Sequence, residues 1–338
     1  MHELSFISRL TTLKLRRAHI VLFWFTVWST SSALGAEQNG EIRITAPIRY
    51  DYRYDFDTQM VARDRLQYQL GILFLTPSIN STTLGSLNIG GQFGTGESYT
   101  SPWNTAVNYA DPNARPQEFN LRQFYGRWTL DRWQIHLGII PPVKGKVSET
   151  SLDKDGWIRG GRIIMPLPIS GQLEFVAGAL DHLDDPSAFQ NWNPPNYFET
   201  EWTQAWDPSL RTELGTVMLD SEVIGRIEVR YSAFMFLGIR TEVAGEVLHN
   251  FSSSSWAHDW SATHRIGSLS LSNEYAYVPS ELGLLGTLSN DFFTFGHLWV
   301  LGLKRPIWSS DNVFWFVRNY LGEERINFKV GVGYTHQF

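Results

Sequence analysis

Charge recurs at every second residue through several stretches of this chain. Arg43, Arg49, Asp51 and Arg53 alternate with Ile42, Ile48, Tyr50, Tyr52 and Tyr54. Arg63 and Arg65 stand against Ala62, Leu66 and Tyr68. Later stretches add Arg122, Arg127, Arg159 and Arg162, then Glu228, Arg230, Arg240 and Glu242. Guanidinium and carboxylate groups at this spacing do one kind of work well. They fix charge along one surface, where it attracts, repels or orients dissolved ions and dipoles. The apparatus of covalent catalysis is not legible. There is no cysteine, no Gly-x-Ser-x-Gly turn and no tight His-x-Ser pair. His136, His249, His258, His264, His297 and His336 sit in no nucleophile motif. His182 with Asp184 and Asp185 hints at a cation ligand set, but Asp-rich loops are ordinarily just solvated. No enzyme activity, metal or cofactor is expected.

Side chains that repeat every two residues belong to strands, because successive Cβ atoms point to opposite faces. Strands are expected at 42–56, 62–74, 84–94, 119–130, 133–140, 157–167 and 172–180. The series continues at 224–235, 239–249, 256–265, 268–277, 292–304, 313–321 and 326–338. No 3.6-residue period is sustained over any long stretch. Connections alternate in length. Residues 131–132, 167–171, 236–238 and 265–267 are short links, whereas 94–117, 141–156, 181–223 and 278–291 are long. The reading is all-β, about 14 strands, with 12 or 16 as alternatives. Residues 212–219 could be one more strand, read here as a hairpin or extension inside the fourth long loop.

The other face of these strands is apolar and aromatic. Tyr50, Tyr54, Trp128, Trp133, Trp157, Trp256, Trp299 and Trp315 fall near strand ends, where rings with a polar tip form interfacial girdles. The N-terminus adds a targeting signal. Arg9, Lys14, Arg16 and Arg17 precede the apolar run 19–28, followed by small residues near Gly35 and Ala36. Residues 1–36 are therefore expected to be a signal peptide and 37–338 the mature domain. Removing four of the 28 basic and one of the 34 acidic residues leaves a net charge of −9. An exported, strongly acidic chain is a poor partner for nucleic acid. With apolar runs too short for a spanning helix, any membrane passage must use a closed barrel.

The closing stretch carries the clearest alternation. Ile326, Phe328, Val330, Val332, Tyr334, His336 and Phe338 share one face, with Lys329 and Gln337 on the other. A last strand ending Tyr334–Phe338, the leader, and the stretch Leu121-Arg-Gln-Phe-Tyr-Gly-Arg-Trp128 before Asp131-Arg132-Trp133 resemble Gram-negative outer-membrane porin-like β-barrels. The resemblance implies a transmembrane antiparallel up-and-down barrel in the outer membrane. It implies passive diffusion of small hydrophilic solutes, with the charges named above lining the lumen. Acidic loop residues Asp181, Asp184, Asp185, Glu199, Glu201 and Asp207 would oppose the arginines and create a transverse field. By position, the loop between the fifth and sixth strands would fold inward, offering Lys144, Lys146, Glu149, Asp153, Lys154 and Asp155. Tyr334 and Phe338 would be read by the barrel-assembly machinery. Outer-membrane lipid and lipopolysaccharide would surround the protein, as a monomer or homotrimer. Two alternatives remain at this point: a barrel enzyme cutting phospholipid or lipid A, and a structural barrel with no channel.

Overall fold

The computed structural model describes residues 40–81, 85–96, 98–99, 101–109, 119–142, 156–168, 170–180, 185–189, 193–283, 295–307 and 312–337. The leader at 1–36, the inner-loop residues Lys144, Lys146, Glu149, Asp153, Lys154 and Asp155, the residues Asp181, His182 and Asp184, and Phe338 lie outside them.

The alternating stretches form strands. β1 has two pieces, Glu41–Thr45 and Ile48–Asp55. β2 has three, Met60–Tyr68, Gly71–Leu75 and Ile79–Ser81. β3 has two, Gly85–Gly94 and Asn104–Asn108. Then follow β4 (Asn120–Leu130), β5 (Trp133–Ile140), β6 (Ile158–Leu167), β7 (Gly171–Ala179), β8 (Tyr197–Ala205) and β9 (Leu210–Leu219). The second half is β10 (Glu222–Phe236), β11 (Ile239–Asn250), β12 (Ser255–Ile266), β13 (Leu269–Val278), β14 (Gly296–Pro306), β15 (Val313–Gly322) and β16 (Arg325–Gln337). Each pairs antiparallel with the next, and β16 returns to β1 through Thr45↔Thr335 and Asp51↔Lys329. The sheet thus closes into a sixteen-stranded barrel, the upper of the expected counts. Closure removes the two free edges that an open sheet would leave.

The two strands beyond the fourteen are β8 and β9, both inside the segment expected to be one long loop. β8 places three ionisable groups, Tyr197, Glu199 and Glu201, on one face, so its composition reads as a loop. Adding a pair rather than one strand keeps both ends of the barrel on the same rim, here the near rim. The long connections 109–119, 141–157, 180–196 and 279–295 all leave the far rim, as expected. Short ones leave it too, at 56–59, 220–221, 251–254 and 323–324. The near-rim turn from β10 to β11 is tight. Leu237 and Gly238 both take positive φ, 49° and 78°, the backbone of a two-residue type I′ hairpin.

The outer wall exposes a continuous apolar surface. Ile227, Val229 and Tyr231 of β10, Trp256 and Trp260 of β12, Trp299 and Leu301 of β14, and Phe328, Val330 and Val332 of β16 all face out. An apolar band of this extent is what lipid accepts and water does not. Trp260 covers Gly245 on the adjacent strand, where any Cβ would collide with the ring. Trp157 departs from the girdle expected for it. It is fully buried and packs on Tyr99 with ring centroids 4.7 Å apart.

Candidate functional site

The inner wall collects the charge. On β1 and β2 the ladder pairs Arg49 with Gln67, Asp51 with Arg65, and Arg53 with Arg63, all on the inward face. Lys329 of β16 lies opposite Asp51 and beside Arg318 of β15. Arg49 donates to Gln67 Oε1 at 2.8 Å, and Arg65 reaches Asp51 at 3.3 Å. Arg53 pairs with Asp55 at 2.8 Å, and Arg43, near the rim, with Glu41 at 2.9 Å. Arg127 faces inward and donates to Asn88. β14 to β16 and β1 to β4 therefore form a basic wall.

The opposite arc is acidic. Glu174 of β7, Glu199 and Glu201 of β8, Glu213 of β9, Glu228 of β10, Glu246 of β11 and Asp259 of β12 point inward and are buried. Arg226 of β10 sits at their centre. It donates to Glu201 and to Glu213 at 3.0 Å, and stands 3.7 Å from Glu246. Arg162 pairs with Glu174 at 2.6 Å, Arg230 with Glu242 at 2.7 Å, and the Tyr197 hydroxyl donates to Glu199 at 2.7 Å. Arg240, at the near rim, reaches the Ser232 carbonyl.

Four expectations are corrected by these positions. Glu199 and Glu201 belong to a barrel strand, so these two oppose the arginines from the wall and not from a loop. Asp207 sits in the near-rim turn between β8 and β9, where it accepts from the Ser209 and Leu210 amides. Arg159 is three residues from Arg162, so a two-residue repeat puts it on the opposite, outward register, across from Ala179 and Ile139. Arg122 turns in at a register shift between β3 and β4, but it is fully buried. Its guanidinium donates to the Tyr99 carbonyl at 2.7 Å and the Ser98 carbonyl at 3.1 Å. It holds a segment in place rather than lining a path.

That segment is the main feature not read from the sequence. β3 is interrupted between Gly94 and Asn104, and the described residues between them, Tyr99 and Trp103 among them, turn into the lumen. Gly94 pairs with Gly71 and Asn104 with Tyr68, so the ladder resumes after the excursion. The Tyr99 hydroxyl donates to the Trp157 carbonyl, and Gly96 donates to the Asn104 side chain at 3.0 Å. Trp103 lies under the Arg49 guanidinium, 3.9 Å from its ring centroid. Gly94, Gly96 and Pro102 signalled a break in the strand. Nothing in their spacing gave its direction.

Tyr99 also joins an apolar cluster inside the far-rim half. Ile140, Trp157, Ile158, Tyr197, Leu219, Ile224, Leu248 and Val278 supply inward side chains from β5 to β13. Ala188 and Leu282 add to it from far-rim connections. Over this arc the expected charge-lined lumen is thus replaced by packed side chains and paired charge.

Burial decides which charges a solute would meet. Two unit charges 4 Å apart interact by about 4 kcal/mol at an effective dielectric of 20, and by about 1 kcal/mol in water. The acidic arc is held in buried pairs beneath the apolar cluster. The basic arc keeps Arg318 39% and Arg65 13% exposed at the side chain. What the arrangement offers chemically is an electrostatic surface, with Arg318 and Glu242 among its more exposed charges.

Comparison with solved structures gives the same architecture. A mutant of the Rhodopseudomonas blastica porin superposes at TM-score 0.56 and 9% identity, over 87% of this chain and 100% of that one. A second mutant superposes at 0.57 and 8% identity, again over 87% and 100%. A triple mutant gives 0.55 and 9% identity with the same coverage. No family model and no curated protein matches the sequence. At this identity the likeness is one of fold. The chain has the porin-like fold, a closed antiparallel barrel of sixteen strands with an apolar outside and a charged inside.

Proposed function

We propose that this protein is an outer-membrane channel of a Gram-negative bacterium, exported with residues 1–36 as its signal peptide. Small hydrophilic solutes diffuse along the basic arc, with anions preferred. The observation that carries this reading is the pairing of a closed barrel and apolar outer wall with charge gathered mainly on the inside. Lipid forbids charge at mid-depth on the outer face, at a cost of roughly 2–4 kcal/mol for Arg or Lys. Inside, Arg53, Arg63, Arg65 and Arg318 act as the filter, and the inward fold of β3 narrows the path beside them. The acidic arc across the lumen adds a transverse field that orients dipolar solutes.

Two measurements test it. The unboiled protein should run on SDS gels at a different position from the boiled one, and should give discrete current steps in planar bilayers. Coincident bands, or folded protein without current, would sink the channel. Arg63→Ala with Arg65→Ala should move the reversal potential in a KCl gradient toward weaker anion preference. An unchanged potential would remove these two arginines from the filter.

A further inference from the structure

The near-rim half of the lumen contains a cavity of about 530 Å³, within the range of small-molecule sites, roughly 300–1,000 Å³. It lies between the inward fold of β3, at Pro102 and Trp103, and the inner faces of β12 to β16. Four cationic side chains line it: Arg49, Lys304, Arg318 and Lys329. Among the described residues no carboxylate does. Asp51 stands 4.0 Å from Arg49, and Glu274 3.5 Å from Arg318. The described lining of the cavity is thus cationic.

Each cation also rests on an aromatic ring. Arg49 stacks over Trp103 at 3.9 Å and Lys304 over Phe314 at 3.8 Å. Lys329 and Arg318 approach the Tyr320 ring at 4.5 Å and 5.0 Å. The rings hold the charges in place and make much of the wall apolar. A strongly hydrated inorganic ion gains little from such a wall. An ion with a flat apolar part gains both from the rings and from the charge.

We propose that this cavity binds small organic anions bearing a flat apolar group, aromatic carboxylates being the simplest class. The proposal rests on the channel reading, since the site lies on the path that reading assigns to solutes.

The test is current block by benzoate, with acetate and benzamide as controls for the missing ring and the missing charge. Benzoate should reduce the KCl current saturably, while acetate and benzamide at the same concentration should not. Lys304→Gln with Arg318→Gln should raise the half-blocking concentration about tenfold or more, as loss of one good ionic contact would. Lys304→Gln alone, at an exposed near-rim position, should raise it less and serves as the variant least able to disturb folding. A conducting channel that benzoate does not block overturns the site and leaves the channel standing. Equal block by acetate, or equal block in the folded double variant, overturns it too. If no current flows, the channel reading falls, and calorimetric titration of benzoate into the folded, detergent-solubilised protein decides the site. Saturable heat that the double variant loses supports it; no heat in the wild type ends it.

Discussion

Replacing Arg226 with alanine should destabilise the barrel more than any other single substitution of an inward charge. The guanidinium leaves β10 and ties together β8, β9 and β11 through Glu201, Glu213 and Glu246. All four groups are at most 5% exposed at the side chain. Without the cation, three carboxylates stay buried against one another. Removing one partner of a buried ionic group costs about 3–5 kcal/mol, because the charges left behind are neither paired nor hydrated. The measurement is the temperature at which the unboiled SDS band converts to the unfolded position. It should fall steeply for Arg226→Ala and less for Arg226→Lys, which keeps the charge but loses the planar fork. Adding Glu201→Gln, Glu213→Gln and Glu246→Gln to Arg226→Met should recover much of the loss. An unchanged temperature for Arg226→Ala would mean that the cluster carries no structural load.

Excising the inward fold of β3 should raise single-channel conductance severalfold. Gly94 faces Gly71 and Asn104 faces Tyr68 across the β2–β3 ladder. Only Gln69 and Leu70 lie between those partners. Two residues in place of 95–103 would therefore let β3 run on without a break. The lumen would lose Tyr99, Pro102 and Trp103, and with them the contacts that narrow it. The loss of Tyr99 from the far-rim cluster costs stability, about 3–5 kcal/mol if it behaves as large-to-small aromatic changes do. Folding of the shortened chain is checked by the same band shift before current is recorded. Unchanged conductance in a folded barrel would show that the constriction lies elsewhere.

Much of the architecture was legible because strand periodicity is rigid. The faces of β16 follow directly from alternation: Phe328, Val330 and Val332 go out, Asn327 and Lys329 go in. The same rule separates Arg159 from Arg162, an odd number of positions apart in one strand. Grouping them by charge rather than by parity placed both inside. Arg122 needed more than parity, since the register shift between Gln92 and Phe93 sets its direction. β8 escaped because Glu199 and Glu201 look like solvated loop residues unless a distant Arg226 is known to meet them. That partner lies 25 residues from Glu201, and only the closed sheet brings the two together. The inward fold escaped for a similar reason. Gly and Pro mark where a strand breaks, but the partners that draw the break inward, Arg122 and Trp157, come from β4 and the approach to β6.

The seam between β1 and β16 carries a consequence for how the chain reaches this shape. Most neighbouring strands are joined by local connections, and hairpins of that kind form within microseconds. The seam instead joins Thr45 to Thr335 and Asp51 to Lys329, nearly the full length of the domain. Contacts at that separation are the slowest to form, since the entropy of drawing the ends together is lost before any bond rewards it. The ring should therefore zip as an open, curling sheet and shut last. Pro47 divides that final ladder, because it has no amide hydrogen to donate. Ala46 bridges the division by donating to the Tyr334 carbonyl at 2.9 Å. The seam is thus where an incompletely assembled barrel stays open longest, and Ala46 to Ile48 are the residues at which its last hydrogen bonds fall into step.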